Sequence, residues 1–121
     1  MIKTMQMHNG LPVFSFSKRE DLRTWLEAEH STSQGIWVQL FKKSSGIASI
    51  SFDELLDEGL CFGWSESLRH THDDQSYLQK FTPRKRKGTA SERNKAHIKR
   101  LVAAGLMTPA GLAALHAEDL E

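Results

Sequence analysis

Residues 64–87 gather the side chains best suited to chemistry. Trp64, Glu66 and Leu68 share one face of an expected strand, because alternate residues of a strand point the same way. A carboxylate beside an aromatic wall can bind a cationic or hydroxylic ligand, or serve as an acid or base if desolvation raises its pKa. The plainer reading is an ion pair between Glu66 and Arg69 or another base. Further on, Tyr77-Leu78-Gln79-Lys80-Phe81-Thr82-Pro83-Arg84-Lys85-Arg86-Lys87 interleaves aromatic rings with cations. Rings stack on unpaired bases and cations contact phosphates, so the segment has the composition of a nucleic-acid surface.

Other constellations point to structure rather than reaction. Cys61 lies between Leu60 and Phe62 near a helix end, where apolar neighbours and the negative helix terminus both disfavour a thiolate. It reads as buried and unreactive. His70 and His72 could face the same way on a strand, but no third ligand stands at recognised spacing, and Asp73-Asp74 is ordinary turn chemistry. No metal or other cofactor is expected. Ser65 and Ser67 lack the Gly-x-Ser-x-Gly turn of an activated nucleophile. Ser91 to Leu115 superficially suggests helix-turn-helix, yet Thr108 to Leu115 carries no base to project into a groove.

The elements that must position these residues follow from capping and periodicity. Leu11 to Phe16 alternates as a short edge strand opened by Pro12. Ser17-Lys18-Arg19-Glu20 predicts a capping box for a helix carrying Leu22, Trp25 and Leu26 and ending near His30. Ile36 to Phe41 is apolar on both faces and predicts a central strand, closed by the polar turn Lys42 to Gly46. A second capping box, Ser51-Phe52-Asp53-Glu54, opens a helix through Leu55, Leu56 and Leu60 that Gly63 ends. Trp64 to His70 and Tyr77 to Phe81 predict a hairpin. Thr89 or Ser91 caps a third helix with the apolar stripe Ile98, Leu101 and Val102, ended by Gly105. Thr108-Pro109 starts a last helix built on Ala110, Leu112, Ala113 and Leu115. The sum is a single α+β domain over residues 1–121. It has a small, mostly antiparallel sheet packed by helices and a C-terminal helical pair.

Length and charge bound the function. A chain of 121 residues with 39% apolar and 26% charged residues is one ordinary globular domain. One cysteine forms no internal disulfide. No apolar run reaches the roughly 18–20 residues of a membrane span, so no membrane insertion is expected. Met1-Ile2-Lys3-Thr4-Met5 lacks an apolar leader stretch, which predicts a cytoplasmic protein. The net charge of +1 argues against binding by bulk charge, but it hides an uneven distribution. Residues 1–60 hold six bases against eight acids, whereas residues 61–121 hold ten against seven. Residues 80–100 alone carry nine bases and the single acid Glu92, a local +8 able to attract phosphates or carboxylates.

Gly59-Leu60-Cys61-Phe62-Gly63-Trp64, then Arg69, Asp73-Asp74, Tyr77, Lys80-Phe81-Thr82-Pro83-Arg84-Lys85, Asn94 and Met107 to Ala113 resemble the bacterial YdeI/OmpD-associated family. Trp25-Leu26, His30, Gly35-Ile36-Trp37 and Lys42-Lys43-Ser44-Ser45-Gly46 fit the same pattern upstream. The resemblance implies bacteriocin protection and outer-membrane-protein association, and it supplies no reaction or catalytic residues. Two departures stand out. Gly63-Trp64-Ser65-Glu66 replaces the family's Gly-Trp-Ile-Asp, and Ala90-Ser91-Glu92-Arg93-Asn94 lacks the aromatic of its Trp-Ser-x-x-Asn. If these motifs line one pocket, its members are Trp64, Glu66, Arg69, Tyr77, Phe81 and Arg84, with Lys85 beside them.

The leading expectation is a small binding or stress-protection domain whose aromatic–acid–base surface engages an anionic small molecule or protein partner. The alternatives are an enzyme with Glu66 as acid/base and Arg69 or Arg84 as anion clamp, and a nucleic-acid accessory protein using residues 80–100. Nucleic acid is the less favoured partner.

Overall fold

The computed structural model describes residues 7–84 and 92–115, with side chains described for 7–84 and 95–113. The expected caps Thr89 and Ser91, and the basic residues Lys85, Arg86 and Lys87, lie outside the described residues. In chain order the elements are β1 (Met7–His8), β2 (Leu11–Phe14), α1 (Arg19–Glu29), β3 (Ile36–Phe41), a 3-10 turn (Lys43–Ser45), α2 (Phe52–Phe62), β4 (Trp64–Thr71), β5 (Ser76–Pro83), α3 (Glu92–Ala103) and α4 (Pro109–Leu115). The strands form one sheet in the order β1-β2-β3-β5-β4. Every pair is antiparallel except β2 with β3, which α1 joins as a crossover. The domain is α+β, as the patterning predicts.

Strand β3 sits at the centre, and its alternation separates the two faces of the sheet. Ile36, Val38 and Leu40 pair with Phe81, Gln79 and Tyr77 on β5, and the three aliphatic residues and Phe81 join the main core. Leu22 and Leu26 of α1, Leu55, Leu56 and Leu60 of α2, and Ile98 and Leu101 of α3 complete that core. On the opposite face Trp37 pairs with Lys80 and Gln39 with Leu78. There Val13, Trp37 and Leu78 make a second, smaller apolar cluster flanked by Leu11.

Local signals explain most boundaries. Ser51 accepts from the Glu54 amide while the Glu54 carboxylate accepts from the Ser51 amide, so the expected capping box forms at α2. Gly63 ends α2 with φ 76°, a conformation that costs glycine little. The box expected at Ser17 does not form: Lys18 takes the N-cap position, and Ser17 instead donates to the Asp21 carboxylate at 3.2 Å. The first expected strand stops at Phe14, and the two-residue strand β1 precedes it. Asn9 and Gly10, both with positive φ (47° and 83°), make the tight turn between them.

The C-terminal stripe also needs correction. Ile98 and Leu101 are fully buried, but Val102 is 48% exposed and Leu112 of α4 is 38% exposed. Helix α4 meets α2 through its smallest residue, not its apolar ones. A Cβ on Gly111 would stand 2.2 Å from the Cys61 carbonyl oxygen. Thr108 caps α4 by accepting from the Gly111 amide while its hydroxyl donates to that same Cys61 carbonyl.

Among the described residues no helix is long and apolar enough to cross a membrane.

Candidate functional site

The residues expected to share a pocket divide between the two faces of the sheet. Trp64 and Phe81 are core residues, 1% and 0% exposed, with their rings 5.0 Å apart and Trp64 edge-on to Trp25 at 5.6 Å. Neither has surface to offer a ligand. The cause is the pleat: Glu66 pairs with Phe81, which turns Trp64, Glu66 and Phe81 toward the helices. A register shift between Glu66 and Arg69 breaks the expected alternation, and Leu68 is left 57% exposed. Arg69 then lies with its guanidinium 4.3 Å over the Tyr77 ring and 5.6 Å from Phe52. Arg69 and Tyr77 are thus brought together, but as a cation–π stack on the helix-facing side.

Arg84 belongs to a different place. It lines an open groove of about 680 Å³ with Asn9, Gly10, Leu11, Gln34, Ser65, Ser67, Lys80, Thr82 and Pro83. Three features of the fold build this groove. The tight Asn9-Gly10 turn supplies one wall, the start of β4 supplies Ser65 and Ser67, the end of β5 supplies Lys80 and Thr82, and Arg84 follows directly after the strand. Among the described residues the lining has two cations, three hydroxyls, two carboxamides and no carboxylate. Burial draws the Arg84 guanidinium below its ordinary value, while the Glu66 carboxylate pulls the other way. An anion entering the groove would meet a cation already partly stripped of water. A second cleft of about 630 Å³, lined by Ser15, Ser17, Asp21, Thr24, Phe41, Ile47 and Ala48, offers a carboxylate and, among the described residues, no cation.

Other sequence candidates find structural places. Cys61 is fully buried, and burial together with the nearby Glu58 carboxylate pushes its thiol up. Asp73 accepts from the Gln75 amide and the Ser76 hydroxyl, and these bonds hold its carboxyl below the ordinary range. His72 stands 3.9 Å from Asp73 in the same turn. Among the described residues no group of three or more His, Cys, Asp or Glu is placed to hold a metal ion.

Two groupings escape sequence reading. Glu58, with its side chain 1% exposed, takes Arg19 at 2.6 Å and Arg23 at 3.1 Å, while the neighbouring Asp57 takes Arg100 at 2.9 Å. This network ties α1 and α3 to α2, and helix periodicity alone does not name its partners. The second lies on the groove face. His8 from β1 and His70 from β4 come from opposite edges of the sheet, yet their rings are 4.8 Å apart. Trp37 lies beneath, 4.7 Å from His8 and 6.3 Å from His70. Side chains from the two edges of the sheet therefore meet over Trp37 on the groove face. The Asn9-Gly10 dipeptide was the one local signal for that meeting.

No curated protein and no solved structure matches this chain. Residues 14–114 match a family model described as a domain of unknown function, DUF8412, and the chain belongs to that family.

Proposed function

We propose that this protein is a small binding domain that holds an anionic ligand, or an anionic group of a protein partner, in the groove between the β1–β2 turn and the β4–β5 strands. The observation that carries this reading is the lining itself. Lys80 and Arg84 line one concavity whose other described lining residues are neutral hydrogen-bonding groups and two apolar residues. Charges of one sign inside a cleft concentrate counter-charged ligands. Glu66, the candidate acid or base, is not among the lining residues, so the groove favours capture over proton transfer. None of the described residues that line it is aromatic, and the Trp37 ring beneath is buried, which disfavours the base stacking of single-strand binding. The resemblance to the YdeI/OmpD-associated family supports a protective role, and we place the protein in the cytoplasm.

A ligand-shift melting experiment with sulfate, phosphate, citrate and an oligonucleotide tests the reading. A ligand that binds only the folded state raises the melting temperature by mass action. The small anions are expected to stabilise the wild type, and the shift is expected to vanish in the Lys80→Ala/Arg84→Ala double variant, read against that variant's own unliganded melting temperature. A shift retained in that variant, or none with any anion, overturns the proposal.

A further inference from the structure

We propose that the inner end of the groove is a subsite for a tetrahedral oxyanion head group, built from His8, Trp37, His70 and Lys80, and strengthened by acid. The inference rests on the groove reading and goes beyond it by placing the head group. Trp37 is 3% exposed, and its indole Nε1–H has no hydrogen-bond partner among the described residues. Buried donors are almost always satisfied, and an indole nitrogen can only donate, so this group calls for an acceptor. The side chains around it are of the same kind. Lys80 is the ladder partner of Trp37 and lines the groove. Leu11, also in the lining, is the ladder partner of His8, and the Asn9 carboxamide reaches the His8 ring at 3.5 Å. The histidine pair therefore abuts the groove instead of forming a separate site.

Among the described residues the titratable groups on this face are few. Strand β1 contributes His8, β4 contributes His70, β5 contributes Lys80 and, at the outer end, Arg84; the described residues of β2 and β3 contribute none. His72 lies beyond His70 against Asp73. Two protonated imidazoles with ring centres 4.8 Å apart would repel, and an anion accepting from the edges of both rings offsets that repulsion. Imidazole is the side chain that ordinarily changes charge between about pH 5 and 8, so acid should tighten the subsite.

The test is a sulfate titration of the intact chain at about pH 5.5 and about pH 8, since sulfate keeps its charge where imidazole titrates. Ionic strength is fixed and binding is read from the three tryptophan indole N–H resonances. We expect the Trp37 signal to move, the signals of Trp25 and Trp64 to stay, and affinity to be about tenfold higher in acid. The acid gain should disappear in His8→Gln/His70→Gln, whose folding is checked by the unchanged Trp25 and Trp64 signals. Trp37→Phe, which keeps the packing and removes the donor, should weaken binding severalfold. Binding that depends on Arg84 but not on pH, with Trp37 unmoved, overturns the subsite and leaves the groove reading standing. An acid gain that persists in the double histidine variant also overturns it, and no binding at either pH overturns both readings. A sulfated hexose run in parallel separates the sources. Tighter binding than free sulfate assigns the head group to an ester whose body runs toward Arg84, and equal or weaker binding assigns it to the free ion.

Discussion

Cys61 shows how far a single residue's chemistry can be read from its neighbours. Leu60 and Phe62 predict burial, and burial is what raises its thiol. A thiol held protonated in the folded state adds stability that is whole below the unfolded-chain value of about 8.5. That stability declines as pH rises through the higher folded value, because the unfolded chain ionises first. Urea midpoints should therefore fall between about pH 8 and pH 10 in the wild type and fall less in Cys61→Ala, measured against each protein's own midpoint at neutral pH. Equal falls in both proteins would show that other groups carry the alkaline loss. Trp64 and Phe81 mark the limit of this kind of reading. An aromatic ring near bases has the same sequence appearance whether it faces solvent or core. Only the strand register, which turns both toward the helices, decides between them.

At the scale of elements, the two capping boxes contain nearly the same letters and differ in outcome. Ser51 and Glu54 occupy N-cap and N3 of α2 and satisfy each other's amides. At α1 the helix begins one residue later, so Lys18 is the N-cap and Asp21 stands at N3, with Ser17 outside the helix. A motif that depends on a three-residue offset fails when the helix start moves by one. Ser51→Ala should then cost about 1 kcal/mol of stability, within the range of N-cap removals, and Ser17→Ala much less. Chemical denaturation of the two variants checks this, and equal losses would mean that the Ser17–Asp21 bond does a cap's work. Element identity was legible because α1, β3, α2 and the β4–β5 hairpin each carry strong periodicity. Strand β1 was not, since two residues hold no period. The Asn9-Gly10 turn that creates it was the signal to weigh. Nor could periodicity show that α4 would dock through Gly111 and leave Leu112 outward, because close approach favours the smallest side chain over the most apolar.

Over the whole molecule, the net charge of +1 conceals two charge systems that the fold keeps on opposite sides of the sheet. One is the buried network around Glu58, where Arg19 and Arg23 close on a carboxylate almost without solvent contact. The other is the open groove with Lys80 and Arg84. The uneven distribution along the chain points to the basic segment. It does not reveal that Lys80 and Arg84 enter a concavity while Lys95, Lys99 and Arg100 lie on α3. Salt should separate the two systems. The screening length shrinks from about 10 Å at 0.1 M to about 3 Å at 1 M for exposed charges, and buried pairs are screened much less. Raising NaCl from about 0.1 M to about 1 M should therefore weaken sulfate binding about tenfold or more while the unliganded melting temperature changes little. Chloride competition is controlled by repeating the titration in a salt of a large, weakly binding anion. A melting temperature that falls together with affinity would mean that the Glu58 network feels bulk solvent. Affinity that holds at high salt would mean that the ligand is retained by the hydroxyls and carboxamides of the groove and not by its cations.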